Sequence, residues 1–289
     1  MMSNATLKVS NIAPAMRQLT LTDSSNVPVR IGAVSYLNTK PLIFGLEKAI
    51  GVCDSLSLEL PSRLAVDLAS GEIDIGLIPV VEYFQHPEFS IVSDAVIACR
   101  GPVWSVRIFF RCDPSQVKTL ALDEGSRTSV ALSKVLFHAR YGFVPDTIPL
   151  SMTDDPTTVQ ADAVLVIGDR AMHPESFRPA FESDWDLGQA WFEETGLPFV
   201  FAMWVARSEA FATERWRSTL ENTRDEGLHH IREISVKAAE RYALTPEQCR
   251  DYLTNYIRFF LRSEERAGLA EFRRRCDALE LISNEIPGS

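Results

Sequence analysis

A short β-branched run that ends in a cluster of polar residues and then a proline is the pattern that most restricts what this chain can fold into. It occurs first at Arg30-Ile-Gly-Ala-Val-Ser-Tyr-Leu-Asn-Thr-Lys-Pro-Leu42. Ile31 to Val34 suits a buried strand, and Pro41 suits the first turn of a helix. Between them Ser35, Tyr36, Asn38 and Thr39 supply hydrogen-bonding groups. In open α/β sheets the carboxyl ends of strands line the ligand crevice, so Ser35, Tyr36 and Asn38 are candidate ligand contacts. The same residue types are ordinary helix starters, and the local pattern leaves both roles open.

The alternation continues along the chain. Pro41 to Ile50 is predicted as a short helix, Leu56 to Leu60 as a half-buried strand, and Arg63 to Ser70 as a helix stopped by Gly71. Glu72 to Pro79 follows as a strand, and the alternation predicts a parallel sheet. Ser90 to Cys99 and Val103 to Arg111 are β-rich runs around the turn Arg100-Gly101-Pro102, which fits a chain about to leave one lobe. Thr119 to Leu122 opens a second βαβ unit, continued by Thr147 to Leu150 and Ala161 to Gly168, and Leu197 to Ala206 reads as the return crossing. The expected fold is therefore α/β with two lobes and a ligand cleft between them. With the hinge near Arg111 to Lys118, lobe 1 takes residues 30–115 and 205–289, and lobe 2 takes 116–204. From Ser208 onward charged helices complete lobe 1, with a capping box at Thr245-Pro-Glu-Gln248 and an apolar stripe of Leu269, Phe272, Cys276 and Leu279. Residues 1–29 read as a flexible leader without the apolar core of a signal peptide, which points to a cytoplasmic protein.

Two compact units fit within 289 residues of which 46% are hydrophobic. A net charge of -10 argues against a nucleic-acid surface, though a local pocket can still hold an anion. No run reaches the ~20 apolar residues of a membrane span. The five cysteines are scattered with no CxxC pair, as in reduced cytosolic proteins. HExxH, GxSxG, GxGxxG and GxxxxGK[ST] are all missing, and the histidines form no metal-ligand spacing, so a metal enzyme is not expected.

Gly125-Ser-Arg-Thr-Ser129 is the second informative stretch. Free amides at a helix start, with the hydroxyls of Ser126, Thr128 and Ser129 beside them, make a cradle for a carboxylate, and Arg127 adds a guanidinium able to grip one. Helix capping by Ser126 explains the same residues without a ligand. Asp169, just after a strand end, either faces the cleft or caps the next turn.

Taken together, IGAVSYLNTKPL, GEIDIGLIPVVEY, GPVWSVRIFFR, LALDEGSRTSVAL, ADAVLVIGDRAM and DLGQAWFEETGLPFVFAMWVAR resemble the chorismate dehydratases of the futalosine route to menaquinone. The pieces run in order from Arg30 to about Arg207, and the set is highly specific. The resemblance implies a type II periplasmic-binding-protein-like fold used as a cytosolic enzyme. It also implies conversion of chorismate to 3-[(1-carboxyvinyl)oxy]benzoate and water without metal or organic cofactor. Asn38, in SYLN, and Ser105, in PVWSVR, carry over as active-site residues. Two other readings remain at this stage: an enzyme like the dihydroxynaphthoate synthase of the same pathway, and a non-catalytic small-anion binding protein.

Overall fold

The computed structural model describes residues 28–282, so all but the last two residues of the expected leader lie outside it. Eleven strands form two sheets. In chain order they are β1 (Arg30–Val34), β2 (Ser55–Glu59), β3 (Ile75–Pro79), β4 (Ser90–Cys99), β5 (Val106–Phe110), β6 (Thr119–Asp123), β7 (Asp146–Leu150), β8 (Ala163–Ile167), β9 (Ser183–Asp186), β10 (Phe199–Ala206) and β11 (Arg258–Phe260). The first sheet is six-stranded, in the order β11-β4-β10-β3-β1-β2, and the second is five-stranded, in the order β7-β6-β8-β5-β9. β1 pairs in parallel with β2 and β3, and β6 with β7 and β8. These are the βαβ units that the alternation predicts. β10 runs antiparallel to both β3 and β4, so the first sheet is mixed rather than parallel. The cause is that β10 enters from the other lobe and not through a βαβ crossover within the first sheet.

The lobe boundaries differ from the expected ones. β5 pairs with β8 and β9 of the second sheet, so the chain leaves lobe 1 at Arg100 to Ser105 and not at Arg111 to Lys118. Pro114–Gln116 is a 3-10 turn inside lobe 2. The return falls before Phe199, since the whole of β10 lies in the first sheet. Both outer ends of the β-rich runs read alike in sequence, and only pairing assigns them. β2, expected to be half buried, is almost wholly exposed because it is an edge strand paired to β1 alone.

The helices are α1 (Leu46–Ala49), α2 (Pro61–Ser70), α3 (Val80–Gln85), α4 (Arg127–Tyr141), α5 (Leu187–Thr195), α6 (Glu214–His229), α7 (Ile231–Ala239), α8 (Pro246–Asp251) and α9 (Ser263–Ala278). The helix expected at Pro41 to Ile50 is a 3-10 turn, Leu37–Ile43, followed by the single turn of α1. α6 seats directly on that 3-10 turn: a Cβ at Gly227 would stand 2.0 Å from the Pro41 carbonyl oxygen. Only glycine permits this approach. The contact fixes the turn that carries Asn38. α8 opens with the expected capping box at Thr245 and Gln248 and runs into a π-helical turn, Tyr252–Tyr256. Of the α9 stripe, Phe272 and Cys276 are fully buried. One apolar core joins the lobes, running from Leu77 and Trp204 in the first sheet to Ile108 and Leu165 in the second.

Candidate active site

The carboxyl ends of β1, β3 and β8, the outgoing interlobe crossing, the middle of β10 and the start of α4 converge on a cavity of ≈ 60 Å³ between the sheets. That is far below the ~300–1,000 Å³ usual for a small-molecule site, so a ligand of that size needs more room than the cavity offers here. Apolar side chains such as Ile97, Val103, Ile167 and Phe201 form its walls. Its polar lining is Tyr36, Asn38, Ser105, Ser126 and Ser129. No carboxylate, imidazole, amine or guanidinium is among the lining residues.

Ser105 follows Trp104, which holds a positive φ of 65°. A left-handed conformation is costly for a residue with a bulky side chain, and here its surroundings impose it. The buried Asp186 carboxylate accepts the amides of Val103 (2.9 Å) and Trp104 (2.6 Å), while the indole packs on Tyr252 and Tyr256. Burial raises the Asp186 carboxyl above its ordinary value, against those amides and Arg107. The result is a fixed turn that presents Ser105, itself 2% exposed, at the cavity.

Asn38 donates from Nδ2 to the Tyr252 hydroxyl at 3.2 Å, and Ser105 Oγ lies 2.8 Å from the same hydroxyl. A single phenol from the C-terminal helices thus joins the two residues that the motifs single out. Two buried polar atoms at the cavity, Asn38 Oδ1 and Tyr36 Oη, have no protein partner. Buried polar groups are rarely left so, and a polar ligand in the cavity would satisfy them. Burial, then the Asp123 and Asp169 charges, push the Tyr36 phenol far above its usual value, so it remains a neutral donor. Tyr36 packs on Gly168, whose φ of 65° and missing Cβ let β8 end against the ring.

At α4 the Ser126 hydroxyl accepts from the Ser129 amide at 3.3 Å, and the two side-chain oxygens lie 3.0 Å apart. Capping therefore holds, and both hydroxyls also line the cavity. The other sequence candidates stand outside the lining. Thr128 is fully buried against α3, accepting from the Val81 amide at 3.4 Å. Arg127 turns away to Glu82, 2.9 Å distant, instead of gripping a ligand. Glu82 is a buried carboxylate raised by desolvation, and it draws the only cation of this turn across the lobe interface. Ser35 contributes its carbonyl, which accepts from Tyr242 Oη at 2.8 Å. Burial raises the Asp169 carboxyl to about 6 against the pull of Arg241, Lys40 and His173.

Sequence reasoning missed Tyr252, Asp186 and Glu82. Tyr252 lies 214 residues from Asn38 and 147 from Ser105, beyond the reach of any local pattern. The polar Asp186-Leu-Gly start of α5 is readable only as a cap.

A family model described as menaquinone biosynthesis matches residues 29–278. The chain belongs to this family. A chorismate dehydratase of Thermus thermophilus is 31% identical over 266 residues, covering 85% of this chain and 94% of that protein. A chorismate dehydratase of Campylobacter jejuni is 26% identical over 255 residues, covering 86% and 98%. The periplasmic aliphatic sulphonate binding protein SsuA of Escherichia coli superposes with a TM-score of 0.61 at 13% identity, covering 91% of this chain and 96% of that one. This member of the menaquinone biosynthesis family has the periplasmic-binding-protein fold, with its cleft between the lobes.

Proposed function

We propose that this protein is a cytoplasmic hydro-lyase that dehydrates chorismate to 3-[(1-carboxyvinyl)oxy]benzoate, the first step of the futalosine route to menaquinone. The observation that carries the reading is the joining of Asn38 and Ser105 on one buried phenol at a cavity with orphaned polar atoms and no titratable group but a tyrosine. Membership of the family and the two chorismate dehydratase relatives support it. The scattered free cysteines suit a reducing compartment. Among the described residues no helix is long and apolar enough to cross a membrane, and no three metal-ligating side chains converge.

Chorismate carries a ring carboxylate and an enolpyruvyl carboxylate. Loss of the ring hydrogen beside the enol ether spreads charge into the ring carboxylate, hydroxide leaves from the neighbouring carbon, and the ring becomes aromatic. The proton and the hydroxide together make the water, so the reaction balances without a redox partner. Fixed donors around the ring carboxylate stabilise the developing charge, and Ser105, Asn38 and Tyr36 suit that role. Ser126, Ser129 and the first amides of α4 suit the other carboxylate. No lining residue can take the proton at neutral pH, and the substrate's enolpyruvyl carboxylate, held in reach, takes it instead.

Chelator-treated protein incubated with chorismate should consume it and form an aromatic product lighter by one water, followed by liquid chromatography with mass detection. Asn38→Ala and Ser105→Ala should each slow this roughly 10²-fold or more, since one preorganised donor is worth ~3 kcal/mol. Unchanged chorismate, or turnover that returns only with added metal, would contradict the proposal.

A further inference from the structure

We propose that Tyr252 is a positioning residue that aims the Ser105 hydroxyl at the substrate, through a hydrogen-bond chain directed from Asn38 to Tyr252 to Ser105. The proposal rests on the chorismate dehydratase reading for its kinetic consequences but not for the chain itself. The direction follows from counting hydrogens. The Asn38 amide nitrogen can only donate, so at 3.2 Å the phenol oxygen accepts from it. The phenol has one hydrogen of its own, and Tyr252 is 1% exposed. Among the described residues only Ser105 Oγ, at 2.8 Å, remains to accept it. If Ser105 donated instead, the phenol hydrogen would find an acceptor only by turning the Asn38 amide over, which would put its NH2 where Oδ1 now stands without a protein partner and leave buried donors unmet in place of one acceptor. Tyr252 therefore donates to Ser105, and the Ser105 hydrogen leaves the chain at the cavity that Ser105 lines. Bonds in series polarise one another, so the chain also makes Ser105 a stronger donor toward developing charge.

The phenol is built to hold this direction. Its ring stands edge-on to Trp104, with centroids 5.8 Å apart, on the π-helical turn Tyr252–Tyr256. Such turns concentrate at functional sites. Burial pushes the phenol well above its ordinary ionisation range, so the hydrogen stays in place at working pH. Tyr252 is not among the lining residues, and it acts on the substrate only through its neighbours.

Tyr252→Phe keeps the ring and removes the hydroxyl. With chorismate, Y252F should lower kcat by about 10-fold or more while KM stays within about twofold. In a Ser105→Ala background Y252F should slow turnover by no more than about twofold further, because its target is already gone. Full multiplication of the two losses, or a Y252F rate near wild type, would overturn the chain. Melting temperatures give a readout that does not depend on activity. S105A orphans the phenol hydrogen and lowers the Tm, and adding Y252F to S105A should lower it little further, because it removes that hydrogen while leaving the Asn38 N–H without its acceptor. Under the opposite polarity, with the Asn38 amide turned so that its oxygen faces the phenol, the phenol would keep its acceptor in S105A and Y252F would lower the Tm of S105A clearly further. Wild-type protein inactive on chorismate would fell the functional reading while the melting cycle still judges the chain. Should Y252F not fold, Tyr252 replaced by 3-fluorotyrosine keeps ring and hydroxyl. A kcat change of about threefold or more at unchanged KM then supports the chain, and unchanged kcat overturns it.

Discussion

Asp169 sits where β8 ends, half-buried beside the charges of Arg241, Lys40 and His173. Burial raises it from an ordinary carboxyl value to about 6, outweighing Arg241, Lys40 and His173. The unfolded carboxyl ionises first as pH rises, so between about pH 4 and 6 the folded protein binds more protons and loses stability relative to the unfolded chain. Asp169→Asn removes that loss. Relative to wild type, D169N should be near neutral at pH 4 and gain by pH 7, by an amount of about 2 kcal/mol or less. Thermal melts at both pH values check this, and a gain that appears only at pH 4 would reverse the sign. At this scale Asn38 was legible as a polar residue at a strand end, whereas Ser105 entered only through the resemblance that PVWSVR carries. Arg127 and Asp169 were legible as polar residues near the cleft but not in their partners. Glu82 comes from the other lobe, as do Arg241 and Lys40 beside Asp169, and no spacing relates them.

The start of α4 serves as cap and as candidate anion cradle in the same atoms. Thr128 cannot separate the two roles, since it is fully buried against α3 and any charge there would disturb the lobe contact. Ser126 can, being partly exposed, lining the cavity and capping through its oxygen. Aspartate caps a helix about as well as serine, and its charge near the first turn favours the helix dipole by ~0.3–1 kcal/mol. Ser126→Asp should therefore leave the melting temperature nearly unchanged and weaken binding of the aromatic product by about 10-fold or more, read by calorimetric titration. Unimpaired binding would remove the cradle and leave the cap alone. Helices and strands with strong periodicity or capping, such as α4 and α8, were readable. The hinge was not, because β5 has the composition of any central strand, and only its hydrogen bonds to β8 and β9 place it in lobe 2.

For the molecule as a whole, the alternation of strand and helix, the two βαβ units and the return crossing were enough to give the two-lobed plan. The exchange of strands between lobes and the phenol that reaches back from the last helices depend on tertiary closure. That closure produces a cavity whose lining supplies neutral donors and no base: Tyr36 is its one titratable group, held far from neutral ionisation. Catalysis in this account is placement of a substrate that removes its own proton, so turnover has no protein base to titrate. The decisive measurement is the pH dependence of kcat for chorismate conversion, followed by product formation between about pH 6.5 and 9. An aromatic, water-loss product is expected, at a rate that is flat across that range. An acid limb in kcat, marking a protein group that must lose its proton, would contradict it, as would chorismate left intact at every pH.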